Sequence, residues 1–270
     1  DNCGRADKNL WTAKPQGGPI YFYQAADERR EASFIADEIR RGIHDDGREY
    51  SDFTILYRTH AQSRTFEEEF IRRGIPYRIV SGVRFYERKE IKDLLAYLRV
   101  IFNPLDEFSL RRIINVPKRG IGDVTIGRLD EFAAVNGMSL FQALTDEDAL
   151  ATVSAAAANR VRQFAELIEE LRAAVDDVSL TALADRVLEK SGYVAELTAE
   201  RTIEAEARIE NLREFLSVTR QFEQEQGGGL GEFLEHVALV SDVDAYDADA
   251  NSVTMMTLHA AKGLEFPVVF

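Results

Sequence analysis

The chain has 270 residues, 45% hydrophobic and 30% charged, with a net charge of −14 at neutral pH. No run approaches the ~18 uninterrupted apolar residues of a membrane span, and the polar opening "DNCGRADKNLW" has no apolar segment of a secretion signal, so a cytoplasmic, non-membrane protein is expected. Cys3 is the only cysteine, which excludes an internal disulfide. The charge is unevenly spread: residues 1–103 and 250–270 together carry +1, whereas 104–249 carry −15. Such an acidic middle repels a phosphate backbone overall and confines any nucleic-acid contact to its one basic cluster, Arg111, Arg112, Lys118 and Arg119.

In chain order, "PIYFYQ" (19–24) reads as a strand. "DERREASFIADEIRRGI" (27–43) reads as an amphipathic helix, with Ala32, Phe34, Ile35, Ile39 and Ile43 at helical spacing. "DFTILYR" (52–58) is a continuous apolar strand of the kind buried on both faces of a parallel sheet. "AQSRTFEEEFIRRG" (61–74) is a helix closed by Gly74. "YRIVSG" (77–82) is a further strand and "FYERKEIKDLLAYLRVIF" (85–102) a further helix. This alternation predicts an α/β fold with a parallel sheet. From Phe108 to about Val240 only helical periodicity is present, broken once by "QGGGLG" (226–231). An acidic linker, "SDVDAYDADANS" (241–252), comes next, and a strand resumes at Val253, with "FPVVF" reading as a second buried strand. The pattern predicts an α/β domain, residues 1–103 and 250–270, interrupted by an all-helical insert, 104–249.

Ligands of open α/β sheets bind beyond the carboxyl ends of the strands. There, Tyr57 offers a ring face and Arg58 a permanent charge suited to phosphate oxygens; alternatively Tyr57 caps the core and Arg58 makes a surface ion pair. In "TLHAAKGLEF", a strand delivers Thr257 and His259 to its carboxyl end, Lys262–Gly263 allows close backbone approach, and Glu265 can accept from ribose hydroxyls. In "NVPKRGIGDVTIGRL" (115–129), Gly120 and Gly122 open a helix behind Lys118 and Arg119, an arrangement that either holds a phosphate or merely makes a tight turn. No G-x-x-x-x-G-K-[ST] phosphate loop is present; "GIHDDGRE" (42–49) has Arg48-Glu49 where Lys and Ser/Thr belong. The histidines, His44, His60, His236 and His259, form no metal-ligand spacing.

"ILYRTHAQSR" resembles motif IV of the superfamily 1 DNA helicases of the UvrD/Rep/PcrA type, "GVRFYERKEIKD" their motif IVa, "RGIG" their duplex-contacting hairpin, and "TMMTLHAAKGLEF" their motif V. The segment "KNLWT…GGPI" is similar to the stretch just after motif III in that family, and the order of motifs is the same along the whole chain. The resemblance implies a RecA-like second motor domain (2A), of the P-loop NTPase type but lacking the P-loop itself, interrupted by a helical domain (2B). The phosphate loop and magnesium carboxylates would lie before Asp1, and motif VI after Phe270. It implies an ATP-driven 3′→5′ DNA helicase in repair or replication, using ATP and Mg2+, with single-stranded DNA, a duplex junction and repair or replication proteins as partners. Such a protein would work in the cytoplasm, on the nucleoid. By the same resemblance Tyr57 would stack on adenine, Arg58 would reach the γ-phosphate as the catalytic residue, and Glu265 would bind ribose. Thr257 and His259 would touch single-stranded DNA, while Lys118, Arg119, Gly120, Gly122 and Thr125 would meet duplex phosphates. Relatives often have Asn where this chain has His60. A helicase–nuclease subunit and a catalytically silent protein-docking module are the alternatives. The chain alone would lack a complete ATPase site and be inactive.

Overall fold

The computed structural model describes residues 19–80, 82–243 and 251–270. Its sheet is built from β1 (Phe53–Tyr57), β2 (Tyr77–Ile79), β3 (Val253–Thr257) and β4 (Val268–Val269) in the order β2-β3-β1-β4, every neighbouring pair parallel. The register sets Thr54 opposite Thr254 and Tyr57 opposite Thr257. Segments some 200 positions apart thereby end side by side. Helix α1 (Glu28–Asp46) begins where the Asp27 carboxylate accepts from the Arg30 amide at 2.7 Å. Capping of that kind satisfies an otherwise orphaned donor at the helix start. Helix α2 (Ser63–Arg73) ends at Gly74, whose φ of +64° is the left-handed conformation a glycine adopts without steric cost. Ala32, Ile35 and Ile39 of α1 and Phe66 and Phe70 of α2 share one core with Phe53, Ile55, Tyr77, Val253 and Met255 of the sheet.

The helical part comprises α3 (Lys89–Phe102), α4 (Glu107–Ile113), α5 (Asp123–Asn136), α6 (Leu140–Thr145), α7 (Glu147–Ala151), α8 (Ala155–Ala173), α9 (Leu180–Lys190), α10 (Tyr193–Glu200), α11 (Ile203–Gln226) and α12 (Leu230–Val243). These helices enclose a second, separate core that runs from Phe85 to Val237. Helix α3 belongs to it: Ile91, Leu94, Leu98 and Ile101 pack with Leu110, Phe164, Phe215 and Phe233 rather than with the sheet.

Several expectations change. Residues 19–24 form no strand among the described residues; Ile20, Tyr21 and Phe22 are nearly fully exposed, and Tyr23 instead stacks on Phe34 at 3.8 Å. Aromatic and β-branched residues favour a pleated surface, but a strand needs a ladder, and neither sheet edge takes this segment. The helix expected over 85–102 is split, because Arg88 is extended (ψ 140°) between a 3-10 turn, Phe85–Glu87, and α3. The closing apolar run is an edge strand, with Val269 half exposed, rather than a strand buried on both faces. The segment "KNLWT…GG", Ser81 and linker residues 244–250 lie outside the described residues. Residues 241–243 belong to α12, and the Asn251 side chain accepts from the Ser51 amide at 3.0 Å.

Candidate functional site

At the carboxyl edge of the sheet the chain leaves β1 through Arg58 and leaves β3 through Leu258, whose amide donates to the Tyr57 carbonyl at 2.9 Å. A 3-10 turn, His60–Gln62, comes after Arg58, and the Gln62 side-chain carbonyl accepts from the backbone amides of Arg58 (2.9 Å) and Thr59 (3.1 Å). The backbone is thus fixed while the Arg58 side chain stays exposed, with one guanidinium nitrogen 3.5 Å from His259 Nε2. Thr257 shapes the turn after β3: its hydroxyl accepts from the Ala260 amide at 3.3 Å. Lys262, Gly263 (φ +84°) and Glu265 stand exposed on the loop that leads to β4. Arg58, Thr257 and His259 are therefore brought together.

A cleft of about 390 Å³ opens at this edge, lined by Tyr57, Arg58, Gln62 and Leu258 together with the carboxylates of Glu28, Glu31 and Glu214. Among the described residues Arg58 is the lone cation of that lining. Tyr57 departs from its expected role: it is only 5% exposed, sits in the sheet-side core and meets the His60 ring edge-on. Burial, with the Glu67 charge adding to it, pushes its hydroxyl well above the ordinary tyrosine range. The core-capping alternative describes Tyr57 in this arrangement, since a side chain so covered has little ring face to offer a base. Among the described residues no cluster of three or more His, Cys, Asp or Glu side chains stands at metal-binding distance.

Behind Arg58 lies a polar layer that joins the two cores. Arg64, 1% exposed, donates to Glu68 (2.8 Å) and to Glu214 of α11 (2.6 Å). Burial alone would lower its pKa, but the two carboxylates outweigh this and hold it above the ordinary value. Arg88 donates to the His60 carbonyl and Ser63 Oγ (both 2.9 Å) and to Asn211 Oδ1 of α11 (2.8 Å). Burial lowers its pKa, opposed by Glu67 and Glu90. Asn211 in turn donates to Glu90 at 2.5 Å. Nothing local in the sequence marks Arg64, Arg88 and Asn211, because polar and charged residues in or beside helical segments read as solvated; their signal is tertiary.

The insert's turn is remote in the chain from these strands and is pinned from within. Asn115 Oδ1 accepts from the amides of Arg119 (2.8 Å) and Ile121 (3.2 Å), and Ile121 is buried. Gly120 has φ +73°, and Gly122 precedes α5 without a side-chain cap, its carbonyl accepting from the Thr125 amide at 2.9 Å. Lys118 is exposed. Arg119 is not available as expected. Its guanidinium donates to the Tyr97 hydroxyl (2.6 Å) and to the carbonyls of Ile113, Pro117 and Ser191, and it lies over the Tyr97 and Phe164 rings. Arg111 is neutralised by Asp130 and Glu107, and Arg112 by Asp93.

The family model of the UvrD-like helicase C-terminal domain matches residues 1–270, and the chain belongs to that family. Among its relatives, the ATP-dependent DNA helicase PcrA of Bacillus subtilis (strain 168) is 47% identical over 278 residues, covering the whole chain and 37% of the relative. The proteins of the same name from Staphylococcus aureus (strain Mu50 / ATCC 700699) and Staphylococcus epidermidis are 44% and 45% identical, again over the whole chain. The chain thus spans about 37% of the length of the curated relatives it matches. Its fold is the α/β, RecA-like one of this family.

Proposed function

We propose that this chain is the second motor domain, with its helical insert, of an ATP-dependent DNA helicase that moves 3′→5′ on single strands and opens duplex during repair or replication. The observation that carries the reading is the parallel β1–β3 register, which sets Arg58 beside His259. ATP bound against the Arg58 edge supplies the phosphoanhydride whose cleavage drives movement. Arg58 fits that group as an exposed cation, paired with no carboxylate among the described residues, on a fixed backbone; the three carboxylates of the same cleft would repel a polyphosphate, so this chain forms one wall of a site and not the whole. Magnesium carboxylates would come from elsewhere in the complete protein, as would the backbone cradle for the phosphates. Glu265 would accept from the ribose. Thr257 and His259 would meet single-stranded DNA, and the Gly120–Thr125 turn with Lys118 would meet duplex. Because His259 touches Arg58, a strand held at the β3 turn and a phosphate held at the β1 turn compete for, or align, the same guanidinium. This is a direct physical route for DNA to stimulate turnover.

The domain division at 103/104 and 249/250 is part of this proposal, with α3 as the joint: it closes the first motor segment in sequence yet packs with the insert. No helix among the described residues is long and apolar enough to cross a membrane. The full-length protein is expected to unwind a 3′-tailed duplex with ATP, while the 270-residue chain alone does neither hydrolysis nor unwinding. Strand displacement on 3′-tailed and 5′-tailed substrates tests this. Unwinding confined to the 5′-tailed substrate overturns the polarity, and DNA-stimulated turnover by the isolated chain overturns the one-wall assignment.

A further inference from the structure

The two cores leave between them a cleft of about 630 Å³, larger than the 390 Å³ cleft at the sheet edge. Helices α1 and α2 line it from the sheet side, and α11 and α12 from the helical side. Its volume falls in the range of small-molecule sites, roughly 300–1,000 Å³. The apolar part of the lining comes from both sides: Ala32 and Ile71 from one, Val218 and Phe222 from the other. The His236 ring of α12 joins it, 5.5 Å from the ring of Phe222.

The carboxylates of this lining are already engaged. Glu68 accepts from Arg64 and from the Tyr86 hydroxyl, Glu69 pairs with Arg72 and Arg73, and Glu225 pairs with Arg29. Arg30 is different: it is exposed and meets no carboxylate among the described residues. Its place in the helix adds to this. Arg29 and Arg30 stand in the first turn of α1, at the positive end of the helix dipole, where a cation is disfavoured unless an anion is near. The acids of the same turn, Glu28 and Glu31, line the sheet-edge cleft instead. The turn thus divides its charges, with carboxylates towards one cleft and guanidiniums towards the other.

We propose that this seam binds a small organic anion: a molecule with a planar apolar body and one carboxylate or phosphate group. The body lies against Val218, Phe222 and His236, and the acid group takes the planar fork of Arg30. Arg29 is within the same lining, and its pair with Glu225 is half exposed on both sides, so an incoming acid can exchange for that carboxylate. Because the walls belong to different cores, the bound molecule bridges the sheet and the helical insert and favours their present arrangement. The inference stands apart from the helicase reading, since it uses no residue assigned to nucleotide or DNA.

The probe is 8-anilinonaphthalene-1-sulfonate, whose aromatic body and single sulfonate reproduce this chemistry, with the uncharged N-phenyl-1-naphthylamine as control. Fluorescence titration of the full-length protein, without ATP or DNA, is expected to show one saturable site for the sulfonate. Arg30→Ala should weaken it roughly 5- to 10-fold, the scale of a partly exposed charge-assisted hydrogen bond, and leave the naphthylamine nearly unchanged. Glu225→Gln frees Arg29 and should tighten sulfonate binding roughly 3-fold, a direction that loss of structure does not produce. Gln221→Trp puts an indole into the cleft and should abolish binding of both probes. If that variant fails to fold, His236→Ala takes its place and should weaken both probes. Several weak sites, or one site unmoved in folded Arg30→Ala and Gln221→Trp proteins, would mean a probe adsorbed elsewhere and overturn the proposal. Equal loss of both probes in Arg30→Ala overturns it as well, because the guanidinium would then be shaping the cleft and not meeting the acid. Neither result bears on the helicase reading, which stands or falls by the unwinding assay.

Discussion

Arg58→Ala in the full-length protein is the sharpest probe of the motor assignment. Within the chain the Arg58 side chain does almost no structural work: it is exposed, its side-chain contact among the described residues is His259 at 3.5 Å, and the turn behind it is closed by backbone amides on Gln62. Truncation should therefore change stability by no more than about 0.5 kcal/mol, the usual range for surface substitutions away from special contacts. Turnover is another matter. An arginine that meets charge developing on a transferred phosphoryl group is worth roughly 10³–10⁵ in rate, or about 4–7 kcal/mol of barrier. Nucleotide affinity should weaken far less, because the contact strengthens only as the transition state forms. The assay is steady-state phosphate release at saturating single-stranded DNA, with nucleotide affinity measured separately and thermal unfolding as control. Arg58→Lys should not restore turnover, since an ammonium lacks the planar fork. Equal losses in affinity and turnover would refute the catalytic role, and a melting temperature lowered by many degrees would show that the side chain holds the fold.

Arg64→Met should cost about 3–5 kcal/mol, because it leaves the Glu68 and Glu214 carboxylates without the cation they enclose. Combining it with Glu214→Met should return much of that loss; a single Arg64→Met variant within about 1 kcal/mol of wild type in urea unfolding would deny the pair a structural role. The buried tyrosines make the fold sensitive to alkali. Burial raises Tyr97 from its ordinary 10.0 to about 12, against the pull of Arg119, and also raises Tyr57, Tyr86 and Tyr193. The folded state then holds protons that the unfolded state has released, so stability is intact below about pH 10 and falls as pH rises from about 10 towards 12. Tyrosinate absorbance should show a late, cooperative fraction that appears with loss of helical circular dichroism; all tyrosines titrating near 10 in a folded protein would contradict it.

The elements with short-range causes were legible in the sequence. The run "FTILY" became β1 because it is largely apolar and rich in β-branched and aromatic residues, Gly74 closed α2 because the left-handed position there favours glycine, and "VTMMT" became β3. Illegible were the features that depend on what an element meets. Nothing local says that β3 lies between β1 and β2, yet this order brings His259 to Arg58. The Pro19–Gln24 run has strand composition and no ladder. Helix α3 lies within the motor segment in sequence, but its apolar stripe faces the insert. Tyr57 and Arg119 were given ligand contacts by their place at a strand end and a glycine turn and by the family resemblance, with core capping left open for Tyr57, and both are held by the protein's interior.

The charge of the insert shows why totals mislead about binding. A segment carrying −15 should avoid DNA if its field were felt as a whole. Salt screens exposed charges over about 8–10 Å, so a strand responds mainly to the groups beside it. Many of the insert's cations are cancelled locally: Arg111 by Asp130 and Glu107, Arg112 by Asp93, Arg162 by Glu147, Arg172 by Glu169. Lys118, Arg119 and Arg160 carry no such partner among the described residues, and they gather at the Gly120 turn. Under the proposed function, such a domain would be repelled by DNA over its carboxylate-rich surface and would meet duplex at the Gly120 turn, where Lys118 stands exposed. On that proposal, discrimination between duplex at the junction and DNA elsewhere would come from where the carboxylates are, as much as from where the arginines are.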